Sequence, residues 1–221
     1  MTSALPSQDQ PPSLSAEDVE ALFVRGDGRY AFARWGRPIA PVIFGVDDAT
    51  LTIFKGAIEA IAQLASHPVD EVDTELGANL LMFFCKDWSE LREIPNLDRL
   101  ILGFSDLLAQ LDRTDANQYR VFRFGEAGAI RACFVLIRMD ESLASISAET
   151  FALNQAVQLI LLWSDKAFLE TSPLGMVGSD RVILKPEIAS VIRAAYDPVM
   201  PAASNDVSHA LRLQARMTRP Q

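Results

Sequence analysis

The fold class predicted by this sequence is α+β, a small and mostly antiparallel sheet packed against several helices. Three observations carry that expectation. Stretches with apolar residues at helical spacing alternate with short apolar runs of strand length. The clearest pair of neighbouring strands, YRVFRF and AIRACFVLIR around GEAG, has the form of an antiparallel hairpin with a glycine-containing turn. The last third is mostly helical pattern, so helices segregate from strands along the chain. With 221 residues, 49% of them apolar, the chain is long enough to bury one sizeable core.

Taken in order, residues 1–15 are rich in Ser, Pro and Gln without a period and read as a flexible arm. A single domain is expected over residues 16–214. Ser15 is placed to cap a short helix through Phe23, with Glu17 and Asp18 in its first turn. IAPVIFGV (residues 39–46) suggests a strand, and Pro41, which lacks an N–H, assigns it to a sheet edge. Asp47 and Asp48 open an amphipathic helix in which Leu51, Phe54, Ile58, Ile61 and Leu64 share a face, stopped at Ser66-His67-Pro68.

ANLLMFFC (residues 78–85) is an unbroken apolar run, hence a buried strand. A turn and helix over KDWSELREIP lead to a second amphipathic helix from Leu97 to Leu111. In the hairpin that follows, Arg120, Arg123 and Arg131 interrupt the apolar residues, which predicts a sheet face that is solvated or paired with acids. Ser147 caps the next helix, with Glu149 in its first turn, and the helix is expected to reach Trp163. Residues 171–182 have loop composition. Pro186 suits the first turn of a helix that Pro198 terminates, and a last short helix near residues 207–214 precedes a flexible tail over 215–221.

Composition removes several function classes. A net charge of −9 is a poor match for a phosphate backbone, so no nucleic-acid partner is expected. Arg25, Arg29, Arg34 and Arg37 gather locally with Tyr30 and Trp35, as a packing cluster or as an anion or partner site. No run of about 18 apolar residues exists, so no transmembrane segment is expected. The N-terminus lacks a basic start and apolar core, which favours the cytoplasm unless a signal has been removed. Cys85 and Cys133 sit in apolar runs as buried thiols or, alternatively, as a cross-strand disulfide.

One stretch carries a metalloprotease spacing without its chemistry. In NQAVQ, residues 154–158, polar side chains fall at i, i+1 and i+4, where H-E-x-x-H places two zinc-binding imidazoles and a general base on one helix face. Here those places hold Asn154, Gln155 and Gln158. An amide has no proton-accepting pKa near neutrality, and its oxygen is a poor zinc ligand beside imidazole. The two histidines, His67 and His209, are far from this helix in sequence, so neither a metal nor another cofactor is expected. The helix is apolar on most other sides, so Asn154, Gln158 and Asp165 form a polar stripe that must find partners. Tyr196-Asp197-Pro198 reads as a packed Tyr before an Asp-Pro turn. Gly26-Asp27-Gly28 lacks the flanking strand and helix of a nucleotide loop.

The chain resembles an uncharacterised bacterial family, domain of unknown function 2927, over roughly residues 34–211. NQAVQLILLWSDKA aligns without gaps with that family's helix, sharing Gln158, Leu162 and Asp165, and LKPEIASVIRAAYDP keeps Leu184, Pro186, Arg193, Tyr196, Asp197 and Pro198. Upstream, RWGRPIAPVIFGV and ANLLMFFCKDWSEL are similar in layout to its opening strand, helix and strand. The resemblance implies a zincin-like fold with a degenerate metalloprotease helix. The two adjacent glutamates of the family helix are Asn154 and Gln155 here, a departure that removes even a carboxylate-based site.

Three functions follow as expectations. The first is a catalytically inactive zincin-like domain that binds a protein or peptide in a groove formed by Asn154, Gln155, Gln158, Asp165 and Tyr196. The second is a hydrolase of unrecognised type using a carboxylate-lined or Cys85-containing pocket. The third is a structural or assembly role.

Overall fold

The computed structural model describes residues 14–178 and 181–218. The anticipated arm therefore lies, up to residue 13, outside the described residues, as do residues 219–221 of the anticipated tail.

Helix α1 (Ala16–Ala21) starts on the expected cap. Ser15 Oγ accepts from Asp18 N–H while the Asp18 carboxylate accepts from Ser15 N–H, a reciprocal box that satisfies two helix-end donors. Strand β1 (Phe32–Ala33) leads to β2 (Pro41–Phe44), and α2 (Asp48–Leu64) begins where Asp47 Oδ1 accepts from Thr50 N–H. Then come β3 (Leu80–Cys85), a 3₁₀ turn over Trp88–Glu93, α3 (Leu97–Leu100), α4 (Phe104–Arg113), β4 (Gln118–Phe124) and β5 (Ile130–Arg138). The remainder comprises α5 (Glu141–Ala144), α6 (Ala148–Ile160), β6 (Leu174–Val177), β7 (Arg181–Leu184), α7 (Pro186–Ala195), β8 (Ala203–Ser204) and α8 (Ser208–Met217).

The main sheet has the order β2-β3-β5-β4. The side-chain alternation of its strands feeds two cores. Ile43, Leu80, Met82, Cys133, Val135 and Ile137 face the layer that contains α2 and α6, with α7, α8 and α1 beyond. Phe83, Cys85, Phe134 and Leu136 face the 3₁₀ turn, α3 and α4. The class is thus mixed helix and sheet, with small sheets packed against helices.

Strand direction departs from expectation. The β4–β5 hairpin and the ribbons β1–β8 and β6–β7 are antiparallel, whereas β2, β3 and β5 run parallel. The physical reason is burial on both faces: β3 and β5 are covered by helices above and below, which goes with unbroken apolar runs and parallel pairing. Pro41 does lie in an edge strand, β2, as anticipated.

Other boundaries shift for local reasons. The periodic run from Leu97 breaks because Ile101 turns extended to bury its side chain and Gly103 adopts φ +68°, so two helices replace one. The anticipated loop at 171–182 contains most of the β6–β7 hairpin. Helix α8 continues through Met217, so the tail expected from residue 215 begins inside a helix. The two thiols are free: Cys133 pairs with Leu80 at one end of the parallel strands and Cys85 with Arg138 at the other, on opposite faces.

Candidate functional site

The helix that carries the three amides is fixed at both ends by side chains. Ser147 Oγ accepts from Thr150 N–H at its start. Its last turn would leave carbonyls without partners, and three distant donors supply them. Trp163 Nε1 donates to Val157 O (2.8 Å), Trp35 Nε1 to Leu159 O (2.8 Å) and Tyr196 Oη to Ile160 O (2.8 Å). The helix ends at Ile160 rather than Trp163 because Leu161 turns extended to bridge Arg34 and Leu162 N–H donates to Ala33 O.

Tyr196 is therefore a clamp on the helix end. Its hydroxyl also accepts from Trp35 N–H, its ring lies under the Arg34 guanidinium and beside His67, and burial pushes its pKa upward. It does not join the other four residues of the expected groove. The Arg34 member of the arginine cluster is thus a packing residue, Arg29 pairs with Asp27, and Arg37 pairs with Asp73 and Glu75.

The other four meet at the free edge of the main sheet. Among the described residues strand β4 pairs only with β5, and its residues Gln118, Arg120 and Phe122 point toward α6. Between that strand, Asn154 and Gln158 of α6, and the segment Leu162–Leu169 lies a cleft of about 550 Å³. Asp165 lines it with Arg25 at the rim, and its Oδ1 accepts from Gly26 N–H (2.8 Å), tethering the 25–28 turn. Gln158 Nε2 donates to Asn154 Oδ1 (3.1 Å). Gln155 is fully buried behind this wall, accepting from Arg120 Nη2 (2.7 Å) and donating to Gln118 Oε1 (2.6 Å).

Arg120 is the residue that sequence reasoning misplaced. The expectation is a solvated or acid-paired face, yet among the described residues its hydrogen bonds run only to neutral amide oxygens, Gln155 at 2.7 Å and Gln118 at 3.5 Å, and Nε is shut from solvent without an acceptor there. Among the described residues it has no carboxylate within ion-pair distance. Desolvation pulls its pKa down to about 10. The legible signal was parity: Arg120 and Arg123, an odd number apart, cannot share one face of a strand. Arg123 faces the other layer and donates to Leu100 O, while Arg131 pairs with Glu75.

The donor set does not suit zinc. The positions of the two imidazoles and the general base hold amides, and among the described residues no group of three or more His, Cys, Asp or Glu converges. His67 Nε2 is bound to Arg37 O and His209 Nδ1 to Tyr30 Oη. Cys85 is buried, its thiol donates to Ile137 O (3.5 Å), and burial pushes its pKa up to about 12, the reverse of an activated nucleophile. No helix among the described residues is long and apolar enough to cross a membrane. The chain matches no protein-family model, no curated protein and no solved structure.

Proposed function

We propose that this chain is a zincin-like domain without hydrolytic chemistry that binds a peptide segment in the cleft between β4 and α6. The observation that carries the reading is the pairing of a helix bearing amides at the H-E-x-x-H positions with an edge strand across a cleft of about 550 Å³. An edge strand offers unpaired N–H and C=O groups to an extended chain, and side-chain pockets beside it supply selectivity. Asn154 and Gln158 present both donors and acceptors to such a ligand, while neither can remove a proton from water at neutral pH. Phe122, Trp163 and Phe168 provide apolar walls. The zincin-like assignment draws on the helix following β5 and lying beneath the sheet, and on the resemblance of its residues noted above.

The test is a pool of synthetic octapeptides offered to the immobilised protein, with mass spectrometry of the retained and the total material. A subset is expected to be retained intact, and Gln158→Trp, which fills the cleft, to release it. Cleavage that a chelator abolishes, or retention unaffected by Gln158→Trp, would overturn the proposal. Elemental analysis of the same protein, with Asn154→Ala and Gln158→Ala beside it, checks the metal separately. A transition metal held near one per chain and lost in both variants would return the helix to enzyme chemistry.

A further inference from the structure

The cleft contains an electrostatic imbalance. Arg120 is permanently charged at neutral pH, and its only hydrogen-bond acceptors among the described residues are two glutamine oxygens. A half-buried cation without a counter-charge is a standing cost, because neutral amides replace only part of the hydration it has lost. This chain pairs Arg37 with Asp73 and Arg216 with Asp197 and sets Arg34 against the Tyr196 ring and Met200 O, whereas Arg120 lines an open cleft. The acid that lines the same cleft, Asp165, is turned to Gly26 N–H and Ser164 Oγ instead.

The arrangement is also held in place. Gln155 sits on a helix capped at both ends and locks Nη2, so the guanidinium needs no reordering to receive a ligand. Nη1 makes no bond to a protein acceptor among the described residues, and Arg120 contributes to the cleft wall. Around it stand further amide groups, Gln118, Asn154 and Gln158, and aromatic surface from Phe122, Trp163 and Phe168.

We infer that the cleft takes a monovalent carboxylate, its oxygens on Arg120 and the surrounding amides and its apolar body against Phe122, Trp163 and Phe168. A single guanidinium matches one carboxylate in charge and planar geometry. A divalent phosphate would find Arg120 at its seat and, in the same cleft, an Arg25 charge offset by the Asp165 carboxylate, leaving a single net positive charge. This inference rests on the cleft being the ligand site. If the ligand is a peptide, the group read by Arg120 is its C-terminal carboxylate or an acidic side chain; a free carboxylic acid carries the same chemistry.

The experiment is an NMR titration of the native protein, following the side-chain amides of Gln118, Asn154, Gln155 and Gln158 and the Arg120 Nε resonance. The probes are N-acetylphenylalanine and its primary amide, then acetyl-Ala-Ala-Phe as free acid and as amide, with inorganic phosphate as the competing anion. Both acids are expected to saturate the shifts, with each amide at least about tenfold weaker, the equivalent of losing one charge-assisted hydrogen bond. Arg120→Met should abolish that difference, with circular dichroism and a cooperative melt checking that the variant folds, since the buried Gln155 oxygen loses its donor.

Equal binding of acid and amide, no saturable binding of either acid, or acid binding unchanged in Arg120→Met would overturn the inference. Tighter binding of phosphate than of either acid would overturn it too. Should Arg120→Met fail to fold, the acid-against-amide comparison on the native chain still decides. The two proposals fail separately. Tripeptide acid and amide bound equally would leave peptide binding standing, whereas binding of N-acetylphenylalanine without the tripeptide would leave only carboxylate recognition.

Discussion

Acid should destabilise this protein well above the range in which carboxylates titrate, and His209 is the main reason. The residue is 1% exposed, Nδ1 is hydrogen-bonded to Tyr30 Oη at 2.8 Å, Nε2 has no partner among the described residues, and the Phe32 ring centroid is 4.2 Å away. Burial, with Arg212 adding to it, pulls the pKa down to about 4 despite the opposing pull of Asp206. The unfolded chain titrates near the usual histidine value of about 6.5. Between those values the unfolded state binds the extra proton, so stability is full above pH 6.5 and falls as the pH drops toward 4. The expected loss is about 2 kcal/mol by pH 5 and about 3 kcal/mol by pH 4. His67, also lowered chiefly by burial, adds a loss of the same sign. Carboxylates held low by hydrogen bonds, such as Asp47 through Thr50 and Asp140 through Leu143, begin to contribute near pH 5 and do so mainly below about pH 4.

The assay is urea unfolding at a series of pH values from 7.5 to 4.5, for the native protein, His209→Gln and His67→Gln. Glutamine keeps a hydrogen-bonding group for Tyr30 and cannot titrate. His209→Gln should flatten most of the pH dependence and His67→Gln a smaller part. A native curve that stays level down to pH 5, or a His209→Gln curve parallel to it, would refute the reasoning.

Three further outcomes follow from single contacts. Asn79 is fully buried, accepting from Ala40 N–H (2.8 Å) and donating to Pro38 O (2.7 Å) and Asp73 Oδ2 (2.9 Å), so Asn79→Ala should cost at least ~3 kcal/mol in urea unfolding by leaving those groups unpaired. Gly45 has φ +83°, and a Cβ there would stand 2.1 Å from the Phe84 carbonyl oxygen; Gly45→Ala should lower stability by at least ~2 kcal/mol, read as a fall in melting temperature. Both thiols are buried with pKa values pushed up to about 12, so a thiol reagent at neutral pH should label neither until denaturant is added; rapid labelling of the folded protein would contradict the burial.

Legibility followed the range of the interactions. Caps and periodic faces act within one or two turns, so Ser15, Asp47, Ser147 and Pro186 mark helix starts that the structure contains. The strands of the hairpin were legible for the same reason. Parallel pairing of β2, β3 and β5 was not, because an apolar run on its own specifies burial and leaves the direction of the neighbour open. The end of α6 was also hidden, since its terminating partners Trp35 and Tyr196 arrive from residues far away in sequence.

The site divides along the same line. That residues 154, 155 and 158 project from a helix without an imidazole or carboxylate is readable along the chain, because side-chain chemistry and a helical period are local properties. Long-range packing sets Asn154 and Gln158 opposite an edge strand, holds Asp165 on Gly26, and makes Tyr196 a clamp on a helix end away from the cleft. Packing also leaves Arg120 half-buried with amides for partners, for an arginine's environment is set by what the rest of the chain brings to it, and among the described residues no acid comes within ion-pair distance.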